Sequence, residues 1–349
     1  MGEIAGKRSS AIIYAAAFVI VVYGMQAAKV LLVPFLLASF IGLMTVRPML
    51  WMQGKRVPVM MAALIIVITI VLVLTILMTI VGTSLAEFTR ALPSYQARLD
   101  LIVKGFFEFL AERLDDDYAI EGLRDVIDPG WVMNVVATTL NAVREIFTNV
   151  LLIVLTIVFI LLEASSMPMK ISVALGTDSF ASRETFLDNL GRYLGIKTIV
   201  SMMTGICAGL LTWAIGLDFP LLWAMVAFLM NFIPTIGSIL AAIPAVLLAV
   251  VQLGFGAAFG TLVGYLVINV IFGNLLEPRM MGRGVGISPL VVFIGIFFWG
   301  WVFGPVGMLL SVPLTMSVKM ALEGDQRTRW VAILLGSARD AEYALEKQQ

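Results

Sequence analysis

Apolar residues run together along this chain instead of alternating with polar ones, in segments at about 11–28, 30–46, 58–83, 148–163, 193–217, 220–252, 255–276 and 289–322. Several approach or exceed the ~20 residues a helix needs to cross the hydrocarbon core of a bilayer. None shows the period-2 alternation of a membrane β-barrel. The pattern predicts an all-α polytopic membrane protein. Segments 220–252 and 289–322 have an awkward length, because a helix of 33 residues runs ~50 Å, too long for a ~30 Å core, whereas two full spans need ~40 residues. Both also break in the middle, at "NFIPTIGS" (231–238) and "WGWVFGPVG" (299–307). Arms of ~14 residues reach ~21 Å into the membrane without crossing it. Each segment is therefore expected to be a re-entrant helical hairpin, with a pair of short tilted spans as the alternative of equal sidedness. The count becomes about six full spans plus two re-entrant hairpins.

The long polar stretch 84–147 holds eleven acidic and six basic residues. Within it "LDLIVKGFFEFLAERL" carries apolar residues at 99, 102, 103, 106, 107, 110 and 114, the stripe of an amphipathic helix. Short loops rich in Lys and Arg stay in the cytoplasm. Here they are Lys7/Arg8, Arg47/Lys55/Arg56, Lys170/Arg183/Arg192/Lys197, Arg279/Arg283 and Lys319/Arg327/Arg329. Threading from a cytoplasmic N-terminus satisfies all five clusters, leaves the C-terminus in the cytoplasm and sends 84–147 outside as a helical extracytoplasmic insertion. Lys7 and Arg8 ahead of an apolar run imitate a signal peptide, but a second apolar run follows at once with no A-x-A cleavage pattern separating the two, so a retained first span is expected. Span 193–217 with hairpin 220–252 runs from inside to outside, and span 255–276 with hairpin 289–322 runs back. That is an inverted repeat in the C-terminal half, a plan of secondary transporters. The expected organisation is a transmembrane scaffold at 1–83, the external region 84–147, a fourth span with connector at 148–192, a transport unit at 193–323 and a cytoplasmic tail at 324–349.

Composition narrows the chemistry. With 60% hydrophobic and 13% charged residues and a mean hydropathy of +1.01, the chain has too little polar surface for a water-soluble globule. Its 23 basic and 23 acidic residues balance, which argues against a nucleic-acid partner. No histidine and one cysteine, Cys207, exclude an intrachain disulfide, a His or Cys metal site and a Ser-His-Asp triad. No P-loop motif is present. Neither an enzyme nor a bound cofactor is expected.

The candidate site residues lie at the breaks. The first tip offers Asn231, Thr235 and Ser238 around Pro234 and Gly237, where Gly permits a tight turn and Pro frees a carbonyl. These groups suit a small polyhydroxylated solute; a turn that satisfies its own backbone is the other reading. Asn269 and Asn274 on span 255–276 are candidates for the solute or for helix contacts. The second tip holds Trp299, Trp301, Gly304, Pro305 and Gly307, as a gate or as an interfacial aromatic belt. In "NVIFGNLLEPRMMGRGVGISPL" (269–290), Glu277 is expected to pair with Arg279 or Arg283 as a hinge or cytoplasmic gate; a purely topogenic loop is the alternative. Glu163 and Glu277 are the carboxylates placed to couple an ion.

"NFIPTIGSILAAIPAV" (231–246), "GNLLEPRMMGRGVGISPLVVF" (273–293) and "FWGWVFGPVGMLLSVPLTMSVKMALE" (298–323) resemble the signature segments of the AI-2E family, the autoinducer-2 exporters and related permeases. The likeness extends over nearly the whole chain, including "ALPSYQ" (91–96) and "LLE" (161–163). The resemblance implies a bacterial inner-membrane protein within the lipid bilayer, a homo-oligomer of pentameric form, and outward movement of autoinducer-2, a small polyhydroxylated furanone-derived signal. Sodium/proton antiport is a rival reading, since similar proteins are assigned to that exchange. A non-transporting membrane scaffold is another.

Overall fold

A computed structural model describes residues 2–112, 129–147, 150–164, 170, 177–281, 286–324 and 327–337. Among these there is no strand. Helices α1 (Gly2–Ala27), α2 (Lys29–Gly54), α3 (Val59–Ala111), α4 (Pro129–Phe147) and α5 (Val150–Ala164) form the N-terminal half. They are followed by α6 (Thr177–Ile215), α7 (Pro220–Met230), α8 (Gly237–Leu253) and α9 (Phe255–Asn269). A π-helical segment, Val270–Leu276, joins α9 to the short α10 (Glu277–Met281). The chain ends in α11 (Pro289–Phe303), α12 (Pro305–Leu309), α13 (Ser311–Glu323) and α14 (Arg329–Leu335). Among the described residues, four stretches are long and apolar enough to cross a membrane: Lys29–Gly54, Val59–Gly105, Leu187–Ile215 and Phe255–Met281. Large apolar side chains stand exposed along them, with Leu31 at 71% and Met60 at 76%. Water would not tolerate such a surface over many helices, whereas hydrocarbon solvates it. This is a membrane protein.

The chain forms two compact units. One comprises Met1–Ile70, Asn149–Leu194 and Val285–Gln349. Its core joins α2, α3 and α5 through Ala38, Met49, Ala62, Ala63 and Ile66 and through Ile153, Ile157 and Leu161, which recur every four residues on one face of α5. Gly42 lets α5 approach, since a Cβ there would stand 2.9 Å from a methyl of Ile160. The hairpin α11–α13 belongs to the same unit, with α11 packed on α12 and α13.

The other unit comprises Val71–Thr148 and Gly195–Gly284. Here Gly205 and Gly209, one turn apart on α6, bring that helix against α7; a Cβ at 205 would stand 2.7 Å from the carbonyl oxygen of Ala224. Small residues at this spacing are how membrane helices gain van der Waals contact. α8 packs along both α7 and α9. The second hairpin thus groups with the N-terminal helices, and the helix of 255–269 groups with the first hairpin.

Two sequence expectations change. The boundary expected at 83/84 is no break in the chain path, because α3 continues through Pro93 to Ala111 as one helix of 53 residues. What changes there is the surface, from apolar all round to one-sided: Leu99 and Phe107 are buried, while Asp100 and Lys104 are exposed. Of the rest of the expected insertion, 129–147 forms α4 and 113–128 lies outside the described residues. Lys197 is not part of a basic loop either; it sits inside α6 and is buried.

Candidate functional site

The turn from α7 to α8 is compact. Gly237 opens α8 directly against α7, where a Cβ would stand 1.8 Å from the carbonyl oxygen of Met230. That oxygen accepts the N–H of Ile233 at 2.9 Å, so Pro234 leaves no acceptor free there, contrary to the sequence expectation. Pro234 is half-buried, and Thr235 is exposed with φ +58°, its hydroxyl donating to the Pro234 carbonyl at 2.7 Å. Asn231 is buried, and its amide donates to the Ser201 hydroxyl on α6 at 2.9 Å. Of the tip's polar residues, Ser238 faces a cavity.

That cavity, of about 250 Å³, lies between α8 and α9. Leu262, Tyr265, Leu266 and Asn269 recur on one face of α9, and Ser238, Ala242 and Val246 recur on the facing side of α8. Ser238 and Asn269, both sequence candidates, are thereby brought together. Tyr265 lines the same cavity; its hydroxyl is buried and has no hydrogen-bond partner among the described residues. A buried donor left unmade costs about 1–3 kcal/mol. The sequence offered a signal that was missed, because Tyr265 precedes Asn269 by one helical turn. A wider depression of about 530 Å³ lies beside α3 and Arg144.

Beyond Asn269 the helix changes from i→i+4 to i→i+5 bonding over 270–276, a rare geometry that concentrates at functional positions. Asn274 is exposed on this segment. At its far end Glu277 meets Lys197: the ammonium donates to both carboxylate oxygens, at 2.7 and 2.8 Å. Lys197 is 3% exposed and Glu277 is 18% exposed. Arg279 is exposed and forms no salt bridge among the described residues; Arg283 lies outside them. Glu163 pairs with Lys170 at a partly exposed site.

In the second hairpin Gly304 turns the chain with φ +69° and Pro305 opens α12. A Cβ on Gly307 would stand 1.9 Å from the carbonyl oxygen of Trp299. The Trp299 indole is buried, donates to Thr315 at 3.0 Å and stacks on Phe303. Trp301 is exposed, lies edge-on to Tyr23, and accepts at its carbonyl from Gln26. The two hairpins share one construction. Each opens on a proline, seats a glycine on a carbonyl of its first arm, and carries a second proline 24 residues after the first, at Pro220 and Pro244 and at Pro289 and Pro313.

Residues 12–324 match the family model described as AI-2E family transporter. Among similar proteins, AI-2 transport protein TqsA of Escherichia coli (strain K12) is 39% identical over 91% of this chain and 92% of its own. A candidate transport protein of Haemophilus influenzae is 38% identical over 93% of this chain and 95% of its own. The candidate transport protein YhhT of Escherichia coli (strain K12) is 34% identical over 93% of each chain.

Proposed function

This chain belongs to the AI-2E transporter family, and from that premise we propose that it exports autoinducer-2 across the bacterial inner membrane by alternating access. The family is one of transporters and not of enzymes, so the protein moves a small molecule through a bilayer. The observation that carries the solute reading is the cavity that Ser238, Tyr265 and Asn269 line between the hairpin and its neighbouring helix. Few directional groups on apolar walls are how pockets orient small ligands, and a hydroxylated five-membered ring offers both matching surfaces. The 39% identity to a protein named for AI-2 transport points to the same solute.

Six spans and two re-entrant hairpins, with both termini in the cytoplasm, remain the topology of this reading, and 193–323 its transport unit. Supporting contacts join ends assigned to one side: Arg47 with Asp188 and Lys319 with the Gly286 carbonyl inside, Tyr95 with Asp218 outside. The working form is a homo-oligomer, as the family resemblance implies.

The test is uptake of labelled autoinducer-2 into inverted proteoliposomes. Tyr265→Phe and Asn269→Ala should each raise the half-saturation concentration about threefold to tenfold, the equivalent of ~0.5–1.5 kcal/mol for one hydrogen bond. Wild-type uptake no greater than that of empty liposomes would reject the solute. Unchanged half-saturation in both variants would move the site elsewhere. Sodium/proton antiport is the second reading, favoured by the buried Lys197–Glu277 pair. It predicts sodium flux independent of autoinducer-2.

A further inference from the structure

A lysine and a glutamate meet inside a unit whose other buried polar side chains, among the described residues, are neutral. As a mere fastening, such a pair is inefficient, because desolvating two charges consumes most of their attraction and an apolar contact holds helices as well. Ionisable groups retained within membrane helices concentrate where ions or protons are handled. The cations nearest along the same helices, Arg192 and Arg279, are exposed and neither bonds to Glu277. Tyr193, a turn before Lys197, is the other buried titratable side chain on that stretch of α6. Lys197 is the only salt-bridge partner of Glu277 among the described residues.

Both members of the pair lead to the solute cavity by short routes. Glu277 follows directly on the π-helical segment, and the residue before that segment is Asn269, which lines the cavity. Lys197 lies one turn from Ser201, which holds Asn231 at the start of the hairpin tip; the tip ends at Gly237, and Ser238 lines the cavity from the other side. A π-helical segment is one bonding register away from an α-helix. Changing that register turns whatever precedes it against whatever follows, here Asn269 against Glu277.

We propose that the Lys197–Glu277 pair is the proton-coupling site of transport, a proposal that rests on the reading given above. A proton taken up by the Glu277 carboxylate forms one O–H bond and leaves a neutral acid beside the Lys197 ammonium. The far end of the π-helical segment is then released, Asn269 turns in the cavity, and loss of the same proton restores the pair. Because the cavity and the pair bias one element, solute occupancy and protonation change each other's affinity by the same factor.

Two measurements decide it. Infrared spectra of the purified protein in lipid, recorded as the pH is lowered, should show a protonated-carboxyl band that Glu277→Gln removes; this needs no solute. The double variant Lys197→Gln/Glu277→Gln removes both charges and strands neither. In proteoliposomes it should still exchange labelled autoinducer-2 at equal pH. It should lose accumulation above equilibrium driven by an imposed pH gradient. The proposal is overturned if no Glu277-dependent band arises while the protein stays folded, or if gradient-driven accumulation persists in the double variant. Loss of exchange together with accumulation overturns it as well, since that marks a purely structural pair. Should wild-type vesicles move no autoinducer-2, the solute assignment fails by itself, and the infrared band still decides the coupling site.

Discussion

Gly237 and Gly307 have no room for a methyl group, because the atom in the way is a backbone carbonyl oxygen at 1.8 and 1.9 Å, not a side chain that can swing aside. Gly237→Ala and Gly307→Ala are each expected to cost about 1–3 kcal/mol or more, as overpacking does, read as a lower melting temperature in detergent. Gly82→Ala is the control; nothing lies within 4 Å of a Cβ there, and it should melt no lower than wild type. Lys197→Met strands the Glu277 carboxylate and should cost ~3–5 kcal/mol, with much of that recovered in Lys197→Met/Glu277→Gln. Additive losses in the pair would show that the two residues do not act together. The sequence made Glu277 conspicuous but not its partner. Arginines two and six residues away looked closer than a lysine 80 residues back, and at the start of an apolar run that lysine read as the end of a basic loop. Only the packing of α6 on the α9–α10 helix brings them together. Asn231 illustrates the converse. Its place at a helix break was legible, but its contact with Ser201 was not, since a partner 30 residues away leaves no periodic trace.

At the scale of elements, the helices were legible wherever apolar runs were long, because hydrocarbon imposes both length and composition. Both hairpin breaks also fell where the turn-forming residues stand, between Met230 and Gly237 and at Gly304. The end of α3 was not legible. A switch from uniformly apolar to amphipathic sequence marks a change of surroundings, and a helix passes through such a change unbroken when its propensity allows. Tyr95, in the amphipathic half, donates to Asp218 at 2.6 Å and packs against Phe88, which in turn meets Phe219. A hydrogen bond to a charged acceptor is worth ~1.5–3 kcal/mol. Tyr95→Phe should therefore lower the melting temperature clearly, while Ser94→Ala, at an exposed neighbour, should not. Equal stability in both variants would mean that this contact fastens nothing.

For the whole molecule, the prediction concerns sides. On a Cys207→Ser background, Leu101→Cys should react with an impermeant thiol reagent from the periplasm and Arg279→Cys only from the cytoplasm. Reaction of both from one side contradicts the threading. If the threading holds, the continuity of α3 acquires a mechanical meaning. Its apolar part, 59–83, is already sufficient to cross the bilayer, and the remainder to Ala111 forms an arm of ~40 Å in the same rod. A tilt of about 10° sweeps the end of a ~40 Å arm through ~7 Å, more than the pitch of a helix. A displacement too small to detect at the membrane is then magnified outside the cell. A partner gripping the far end would brake the embedded half by leverage, without touching the path of the solute.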